Sequence, residues 1–196
     1  MSAISQTWPA AASTPNVPPR PTTESQNIIR NAIAKLRVDI LKWMETKPDF
    51  DRYEHTWEYV DSLLLDAGLA VVDNGYTIAK ALDTTDFDMD YLIDAEFVRI
   101  CDNWTDYLFE CRDEAVADWV KAYQVKCTAE PGSKVSLDFA GEAATGQVKS
   151  VDHALARYAV WVDGEPAFSG NSSLLVEAER IISVGEPCLS SAPDKT

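Results

Sequence analysis

The chain has 196 residues, 46% of them hydrophobic, and a formal net charge of −15 at pH 7. This length and apolar content suffice for one sizeable folded domain or for two small ones. A pI near 4.4 argues against direct binding to nucleic acid or to an anionic membrane, because either polyanion would be repelled.

Two further patterns in the sequence indicate the cellular compartment of the protein. The sequence lacks a run of about 18 apolar residues, and its first residues have neither the basic nor the apolar region of a secretory signal. The spacing of the four cysteines fits neither a thiolate metal site nor the disulfide framework of a small secreted domain. We therefore expect a cytoplasmic protein, with a nuclear setting as the alternative, that has reduced cysteines and no membrane partner.

Residues 1–23 are predicted to form a disordered, proline-rich arm, because closely spaced prolines cannot sustain a helix or a sheet ladder. Within the arm, Pro18-Pro19-Arg20-Pro21 has the form of a polyproline ligand for an aromatic groove. Such short patterns also recur by chance. The arm is therefore interpreted as a tail, with peptide recognition as the alternative.

A helical period begins at Ser25 and ends before Pro48. A second helix is predicted over Asp51–Leu65 with Gly68 beyond its end, whereas Tyr76–Leu82 fits either a short helix or an extended connector. The first helix should bury an apolar face that consists of Ile28, Ile29, Ala32, Ile33, Leu36, Ile40, Trp43 and Met44.

A long helix is predicted from an N-cap at Thr85 to about Val125, with a break near Cys101–Asn103 as an alternative. Its second half repeats apolar residues every three or four positions, which indicates a seam that packs against another helix. The seam consists of Phe97, Cys101, Trp104, Leu108, Cys111 and Ala115, and Trp119 and Ala122 continue it after a slip of one residue.

After Pro131-Gly132 the apolar period changes from that of a helix to that of a strand. Gly146-Gln147-Val148, the run from Tyr158 to Gly164, and Glu179-Arg180-Ile181 resemble the SH3-like barrels that occur as appended modules in many proteins. The resemblance covers residues 132–186, is one of fold, and implies no catalytic residue.

The sequence thus predicts an α+β protein in which an N-terminal α-helical domain precedes a small SH3-like antiparallel β-barrel. The acidic helical domain is placed at residues 24–126, the barrel at residues 132–186 and a flexible tail at residues 187–196. Neither domain carries a recognisable catalytic motif, so the charge distribution is the main indication of function.

The acidity is concentrated in one part of the chain. Residues 51–118 hold eighteen acidic and four basic residues, so this segment carries nearly all of the net charge. Like charges four residues apart destabilise a helix by roughly a few tenths of a kcal/mol per pair, so stability alone does not favour this arrangement. Two series follow that spacing: Asp86, Asp90 and Asp94, with Asp88 beside them, and Asp102, Asp106, Glu110, Glu114 and Asp118, with Asp113 beside them.

We call the second series, from Asp102 to Asp118, the acidic ridge. Its members are about 6 Å apart along a helix, which approaches the phosphate spacing of one nucleic-acid strand. The charge pattern is similar to that of DNA-mimic inhibitors of phages and plasmids, including anti-CRISPR and anti-restriction proteins. We expect a non-catalytic inhibitor or modulator that binds a basic nucleic-acid-binding protein or complex, in the host cell cytosol if the gene is phage- or plasmid-borne. The expected partner-binding residues are Asp86, Asp88, Asp90, Asp94, Asp102, Asp106, Glu110, Asp113, Glu114, Asp118 and Trp161.

Trp161 is included because it alternates with Val160 and Val162 and should therefore face out of the barrel, where it could stack on a ligand. Cover by the helical domain or by the partner of a homodimer is the alternative.

Two other functions remain open. One is a structural or adaptor protein of phage or plasmid assembly, which oligomerises through the barrel and the seam while the acids only solvate it. The other is a hydrolytic enzyme with paired carboxylates. We expect no catalytic residue, no cofactor and no metal, because the sequence lacks a nucleophile elbow, a phosphate-binding loop and a dinucleotide motif. Asp86-x-Asp88-x-Asp90 begins like a calcium loop, but Tyr91 stands where that loop needs glycine.

Overall fold

The computed structural model describes residues 17–47, 61, 64, 74–84, 94–139, 141–164 and 173–187. In these ranges helices precede a five-stranded antiparallel sheet, which confirms the predicted α+β class and the order of its parts. The described chain divides into two compact units. The helical unit contains the described residues of Pro21–Val116, and the sheet unit contains residues 17–20 together with the described residues from Ala117 onward.

Three helices have defined bounds: α1 spans Gln26–Met44, α2 spans Gly75–Thr84 and α3 spans Ala95–Tyr123. The segment that fitted either a helix or a connector is therefore helical. Helix α3 continues through Cys101–Asn103, so the alternative of a break there is wrong. The predicted N-cap at Thr85 lies outside the described residues, as does most of the predicted second helix, of which Asp61 and Leu64 are described and helical.

Local hydrogen bonds explain where α2 and α3 begin. The backbone N–H of Phe97 donates to Asp94 Oδ1 at 2.8 Å, so Asp94 is the N-cap of α3. The N–H of Thr77 likewise donates to Asn74 Oδ1 at 2.9 Å at the start of α2. Helix α3 ends before Gln124, whose φ of 54° is left-handed and cannot continue the helix.

The helical unit buries the two faces that the periodicity indicates. The rings of Trp43 in α1 and Phe97 in α3 have centroids 4.5 Å apart. Burying one large apolar side chain contributes about 1.5–3 kcal/mol, several times the repulsion of one like-charged pair, so the core outweighs the cost of the acidic ridge. All eight predicted core residues of α1 are buried, and the seam contributes Phe97, Cys101, Trp104 and Cys111, with Leu108 and Ala115 packed against them.

The sheet unit is built on five antiparallel strands, which are β1 Ser133–Phe139, β2 Glu142–Asp152, β3 Arg157–Val162, β4 Leu174–Glu177 and β5 Ile181–Pro187. Their order across the sheet is β4-β3-β2-β1-β5. Strands β4 and β5 are the outer members of this order, so the described strands form an open sheet. A 3₁₀ turn, Ala178–Arg180, precedes β5.

One face of this sheet forms its own core. Strand β3 alternates as predicted, with Tyr158, Val160 and Val162 buried and the residues between them half-buried. The Tyr158 hydroxyl accepts a hydrogen bond from the N–H of Ala129 at 3.1 Å, which ties the segment before β1 to the sheet. The remaining buried apolar residues of this core are Val135, Leu137, Val148 and Val176.

Candidate functional site: the acidic ridge of helix α3

Helix α3 carries the acidic ridge on one unbroken helix. All five carboxylate residues, from Asp102 to Asp118, are exposed. A rise of about 1.5 Å per residue places Asp102 and Glu114, the first and last members in the helical unit, about 18 Å apart along the axis. Each step of four residues also turns about 40° beyond a full circle, so the ridge winds obliquely around the helix.

Lys35 of α1 neutralises part of the acidic ridge. Its Nζ lies 3.1 Å from Glu110 Oε2 and 3.2 Å from Glu114 Oε1. Burial lowers the pKa of Lys35, but hydrogen bonds to Glu110 and Glu114 outweigh it, and the net shift is upward. The side chains of Glu110 and Glu114 are still 55% and 63% exposed, so both remain accessible to a partner.

Asp102, the first member of the ridge, has a structural contact. Its Oδ1 accepts a hydrogen bond of 2.7 Å from the backbone N–H of Gly75, the first residue of α2. A helix N-terminus leaves such N–H groups without an intrahelical partner, so this carboxylate satisfies one of them. Asp102 is therefore less available to a partner than its exposure alone indicates.

Asp94 lies at the start of α3 and is also committed to the fold. In addition to its capping bond, its Oδ2 accepts a hydrogen bond of 2.8 Å from Lys47 Nζ. The hydrogen bond from Lys47, followed by that from the Phe97 N–H, lowers the pKa of Asp94 below its ordinary value. The charge of Asp94 thus stabilises the beginning of the helix that carries the ridge.

Asp106 and Asp118 are the ridge members whose side chains have the fewest described contacts to other residues. Both are exposed, and neither forms an ion pair with another residue of the described ranges. Asp113, beside the ridge, is half-buried, with Oδ1 3.8 Å from Arg112 Nη1. Asp106 and Asp118 are therefore the carboxylates that a cation from outside could reach without displacing a described internal partner.

Of the four remaining predicted site residues, the structure describes only Trp161. Asp86, Asp88 and Asp90 lie outside the described residues. Trp161 lies on β3 in the sheet unit, half-buried, with Lys149 Nζ 5.5 Å from its ring centroid.

The apolar seam of α3 is occupied within the chain. Phe97, Cys101, Trp104 and Cys111 belong to the buried core of the helical unit. Trp119 is also buried, in the part of α3 that belongs to the sheet unit, whereas Ala122 is exposed. A second protein could use the buried part of this seam only by displacing the protein's own core.

Three cysteines within the described ranges, Cys101, Cys111 and Cys127, are free thiols. Burial, and then the nearby Asp102 carboxylate, raise the pKa of Cys101 to about 12. Burial also raises the pKa values of Cys111 and Cys127. A protonated buried thiol is a poor nucleophile, so these three side chains are suited to packing.

Metal binding and membrane insertion are two further functions on which the described residues bear. No three side chains of His, Cys, Asp or Glu in these ranges are grouped as a metal ion would need. No helix with described residues combines the length and apolar character needed to cross a bilayer.

The sequence did not predict one further set of contacts, which surrounds Arg20. Arg20, in the proline-rich arm, donates hydrogen bonds to Glu179 and to the carbonyls of Leu155 and Ala156, and its guanidinium lies over the ring of Trp119. The only sequence signal was the Pro-Pro-Arg-Pro pattern. The partners lie about 100 to 159 positions further along the chain, beyond any local periodicity.

Comparisons with protein-family models, with curated proteins and with solved structures found no match to this chain.

Proposed function

We propose that this protein is a non-catalytic inhibitor or modulator that binds a basic nucleic-acid-binding protein through the acidic ridge of α3. One observation carries the proposal: five exposed carboxylates follow one another at four-residue steps along a single unbroken helix. Described contacts offset the repulsion at Asp102 and between Glu110 and Glu114 but not at Asp106 or Asp118, so a gain in binding best explains the arrangement.

The geometry of the ridge fits a protein groove that binds nucleic acid. Carboxylates about 6 Å apart along the axis, each turned further around the helix, approximate the winding row of phosphates on one strand. Lysine and arginine side chains that line such a groove would meet carboxylates at about the spacing of the phosphates that they bind. The target class that fits is a basic DNA- or RNA-binding complex, such as a restriction or CRISPR effector in the cytosol of a bacterial host.

The internal contacts rank the ridge residues. A partner cation at Glu110 or Glu114 must compete with Lys35, and one at Asp102 must compete with the Gly75 N–H. Asp106 and Asp118 have no such competitor within the described ranges and should therefore contribute most to binding per carboxylate.

The experiment compares two variants of equal net charge. Asp106→Lys with Asp118→Lys reverses the uncommitted ridge positions, and Glu130→Lys with Glu142→Lys reverses two exposed acids outside α3. The proteins, immobilised through a tag, are incubated with bacterial lysate at about 0.05 and 0.5 M salt, and retained proteins are identified by mass spectrometry. Each retained protein is then purified, and duplex DNA or single-stranded RNA is added to displace it.

The proposal requires three results together. A nucleic-acid-binding protein is retained at low salt and released at high salt, because mobile ions screen exposed charges. Added nucleic acid displaces it, since both ligands occupy the same groove. The ridge variant loses at least about tenfold in affinity, on the scale of two lost charge contacts, while the matched variant changes little. Retention that is insensitive to salt and nucleic acid would contradict the proposal.

A second candidate function rests on the sheet. Ile182 and Val184 on the outer strand β5 are 62% and 42% exposed, and the strand order with a 3₁₀ turn before β5 supports the proposed SH3-like architecture. Exposed apolar residues on an edge strand favour pairing with another chain. An adaptor or assembly protein that oligomerises through this edge would form a salt-resistant oligomer, which Ile182→Lys should dissociate.

A further inference from the structure

Within the described part of the proline-rich arm, Arg20 contacts residues that do not belong to the acidic ridge. The Arg20 side chain is only 9% exposed, although arginine side chains are rarely buried without specific partners. Its guanidinium lies within the sheet unit, among groups contributed by the end of α3, the β2–β3 turn and the 3₁₀ turn.

The contacts of Arg20 involve all three nitrogens of its guanidinium group. Nε and Nη2 donate to the two carboxylate oxygens of Glu179 at 3.0 and 2.8 Å, a bidentate pair. Nη1 donates to the carbonyl of Leu155 at 2.8 Å, and Nη2 also donates to that of Ala156 at 2.9 Å. The guanidinium carbon lies 5.1 Å from the ring centroid of Trp119, in a cation–π contact. Lysine has one charged nitrogen and could not reproduce this set of contacts.

The acceptors are held in place by contacts that do not involve the arm. The Ala156 carbonyl also accepts a hydrogen bond of 2.9 Å from the N–H of Ala178. The N–H of Leu155 donates to Asp152 Oδ1 at 3.2 Å, and Arg157 Nε donates to Asp152 Oδ2 at 3.0 Å. The β2–β3 turn therefore presents both carbonyls before an arginine arrives.

The site also contacts the backbone of the residues that precede the arginine. Trp119 Nε1 donates a hydrogen bond of 3.0 Å to the carbonyl of Pro18, two residues before Arg20. Pro18 and Pro19 are themselves exposed. Their fixed φ angles reduce the conformational entropy lost on binding, which suits a short linear ligand.

We propose that Trp119, Glu179 and the carbonyls of Leu155 and Ala156 form a binding site for a proline-flanked arginine of another polypeptide, and that the arm fills this site in cis. The arm is then an intramolecular competitor, present at an effective concentration of about millimolar. A partner segment must outcompete it, so the arm sets the concentration at which the partner binds.

The test uses the full-length chain and a labelled peptide with the sequence of residues 16–23, NVPPRPTT. Arg20→Ala removes the anchor of the arm and leaves every acceptor in place. Fluorescence anisotropy gives the peptide affinity of the wild type, of Arg20→Ala and of Arg20→Ala with Glu179→Gln. A second peptide has lysine at the arginine position, and circular dichroism with urea unfolding establishes that each variant is folded.

The proposal requires Arg20→Ala to bind the peptide at least about tenfold more tightly than the wild type, because the competitor is gone. Adding Glu179→Gln, or using the lysine peptide, should each weaken binding at least about tenfold. Folded Arg20→Ala protein that does not bind the peptide, or that binds both peptides equally, would overturn the proposal. A wild-type dimer that Arg20→Ala abolishes in sedimentation velocity would identify a second copy as the occupant, and would also overturn it.

If Arg20→Ala does not fold, displacement of the arm by the peptide can be measured in the wild type. In a nitrogen–proton correlation spectrum, the Arg20 Nε–H signal should move toward its solvent-exposed position as peptide is added to about 10 mM, because the arm is displaced. The Trp119 indole signal should remain at its bound position, since the peptide replaces the arm. An Arg20 signal that does not move over this range would overturn the proposal.

Discussion

The backbone N–H of Gly75 donates a hydrogen bond to the carboxylate of Asp102, with Gly75 N and Asp102 Oδ1 2.7 Å apart. The contact places the first residue of α2 directly against the N-terminal third of α3. A Cβ at Gly75 would lie 2.4 Å from both the N of Asp102 and the O of Val98, which are backbone atoms that cannot rotate away. Glycine is therefore required here by the close approach of the two helices.

Replacing Gly75 with alanine should destabilise the protein by about 1–3 kcal/mol, since the helices must separate to accept the methyl group. The measurement is the urea midpoint of unfolding. Lys80→Ala, at an exposed position of the same helix, should change stability by less than about 0.5 kcal/mol. A Gly75→Ala protein as stable as the Lys80→Ala protein would contradict the observed packing of α2 on α3.

This contact also marks the limit of sequence-based prediction. The eight core residues of α1 were predicted correctly because a helix with one buried face repeats its apolar residues every three or four positions. The pattern that indicated the acidic ridge was equally local. The partners of Asp102, Glu110 and Glu114 come from α1 and α2, and no spacing within α3 specifies which residue of another helix will lie opposite.

Asp94 should make stability depend on pH at the acidic end. Its pKa in the folded protein is below the ordinary value of 3.8, so its charged form stabilises the fold. That contribution is complete above pH 3.8 and is lost as the pH falls through the lower folded pKa. Asp94→Asn keeps an oxygen that can cap α3 but has no charge, so its stability should lack this dependence.

The measurement is urea unfolding of the wild type and Asp94→Asn at several values between about pH 7 and pH 2.5. The advantage of the wild type should be at most about 1 kcal/mol at neutral pH, because the carboxylate is partly exposed, and should vanish at the acidic end. Asp94→Ala should cost about 1 kcal/mol at neutral pH through the lost cap. An advantage of the wild type that stays constant with pH would show that the charge of Asp94 does not stabilise the fold.

Tyr107 should make stability depend on pH at the alkaline end. Its hydroxyl donates a hydrogen bond to Asp39 Oδ2, and this bond, followed by burial, raises the pKa of Tyr107 from 10.0 to about 12. The neutral hydroxyl thus stabilises the fold below pH 10, and the contribution is lost as the pH rises from 10 to about 12. Tyr107→Phe should cost about 1–2 kcal/mol at neutral pH, the worth of a hydrogen bond to a charged group at a partly buried site.

Tyrosine ionisation, followed by absorbance near 295 nm, provides the direct measurement. Subtracting the titration of Tyr107→Phe from that of the wild type isolates this residue from the other six tyrosines. The difference should be centred near pH 12, and Asp39→Asn should move it toward 10 because the charged acceptor is lost. A difference already centred near 10 in the wild type would refute the contact with Asp39.

The contacts of Arg20 show the same limit of sequence-based prediction. The proline-rich pattern predicted a tail, with a polyproline ligand as the alternative, because prolines restrict the chain to an extended form whatever follows. Recognition by a partner stays a prediction. The site itself combines Trp119, the β2–β3 turn and Glu179, which only the folded sheet unit brings together. Aromatic, carbonyl and carboxylate groups scattered along a sequence carry no periodic signal.

Lys35 provides the last prediction, which rests on the proposed function. Because Lys35 pairs with both Glu110 and Glu114, Lys35→Met should free two carboxylates and strengthen binding of the basic partner, on the order of severalfold. The methionine keeps most of the apolar stem, and the lost ion pairs are exposed, so stability should change by less than about 1 kcal/mol. The measurement is the dissociation constant of the partner identified by the retention experiment.

The matched control is Lys42→Met, which removes the same charge from α1 but whose ion pair is with Asp39, a residue that is not a member of the ridge. Both variants make the protein more negative by one charge, so a general attraction would strengthen binding equally in the two. A larger gain for Lys35→Met, one that shrinks as salt is added, would place the partner's cations at Glu110 and Glu114, because Lys42→Met releases neither of these carboxylates. Equal gains would mean that the partner responds to net charge alone, and the acidic ridge would then have no special role in binding.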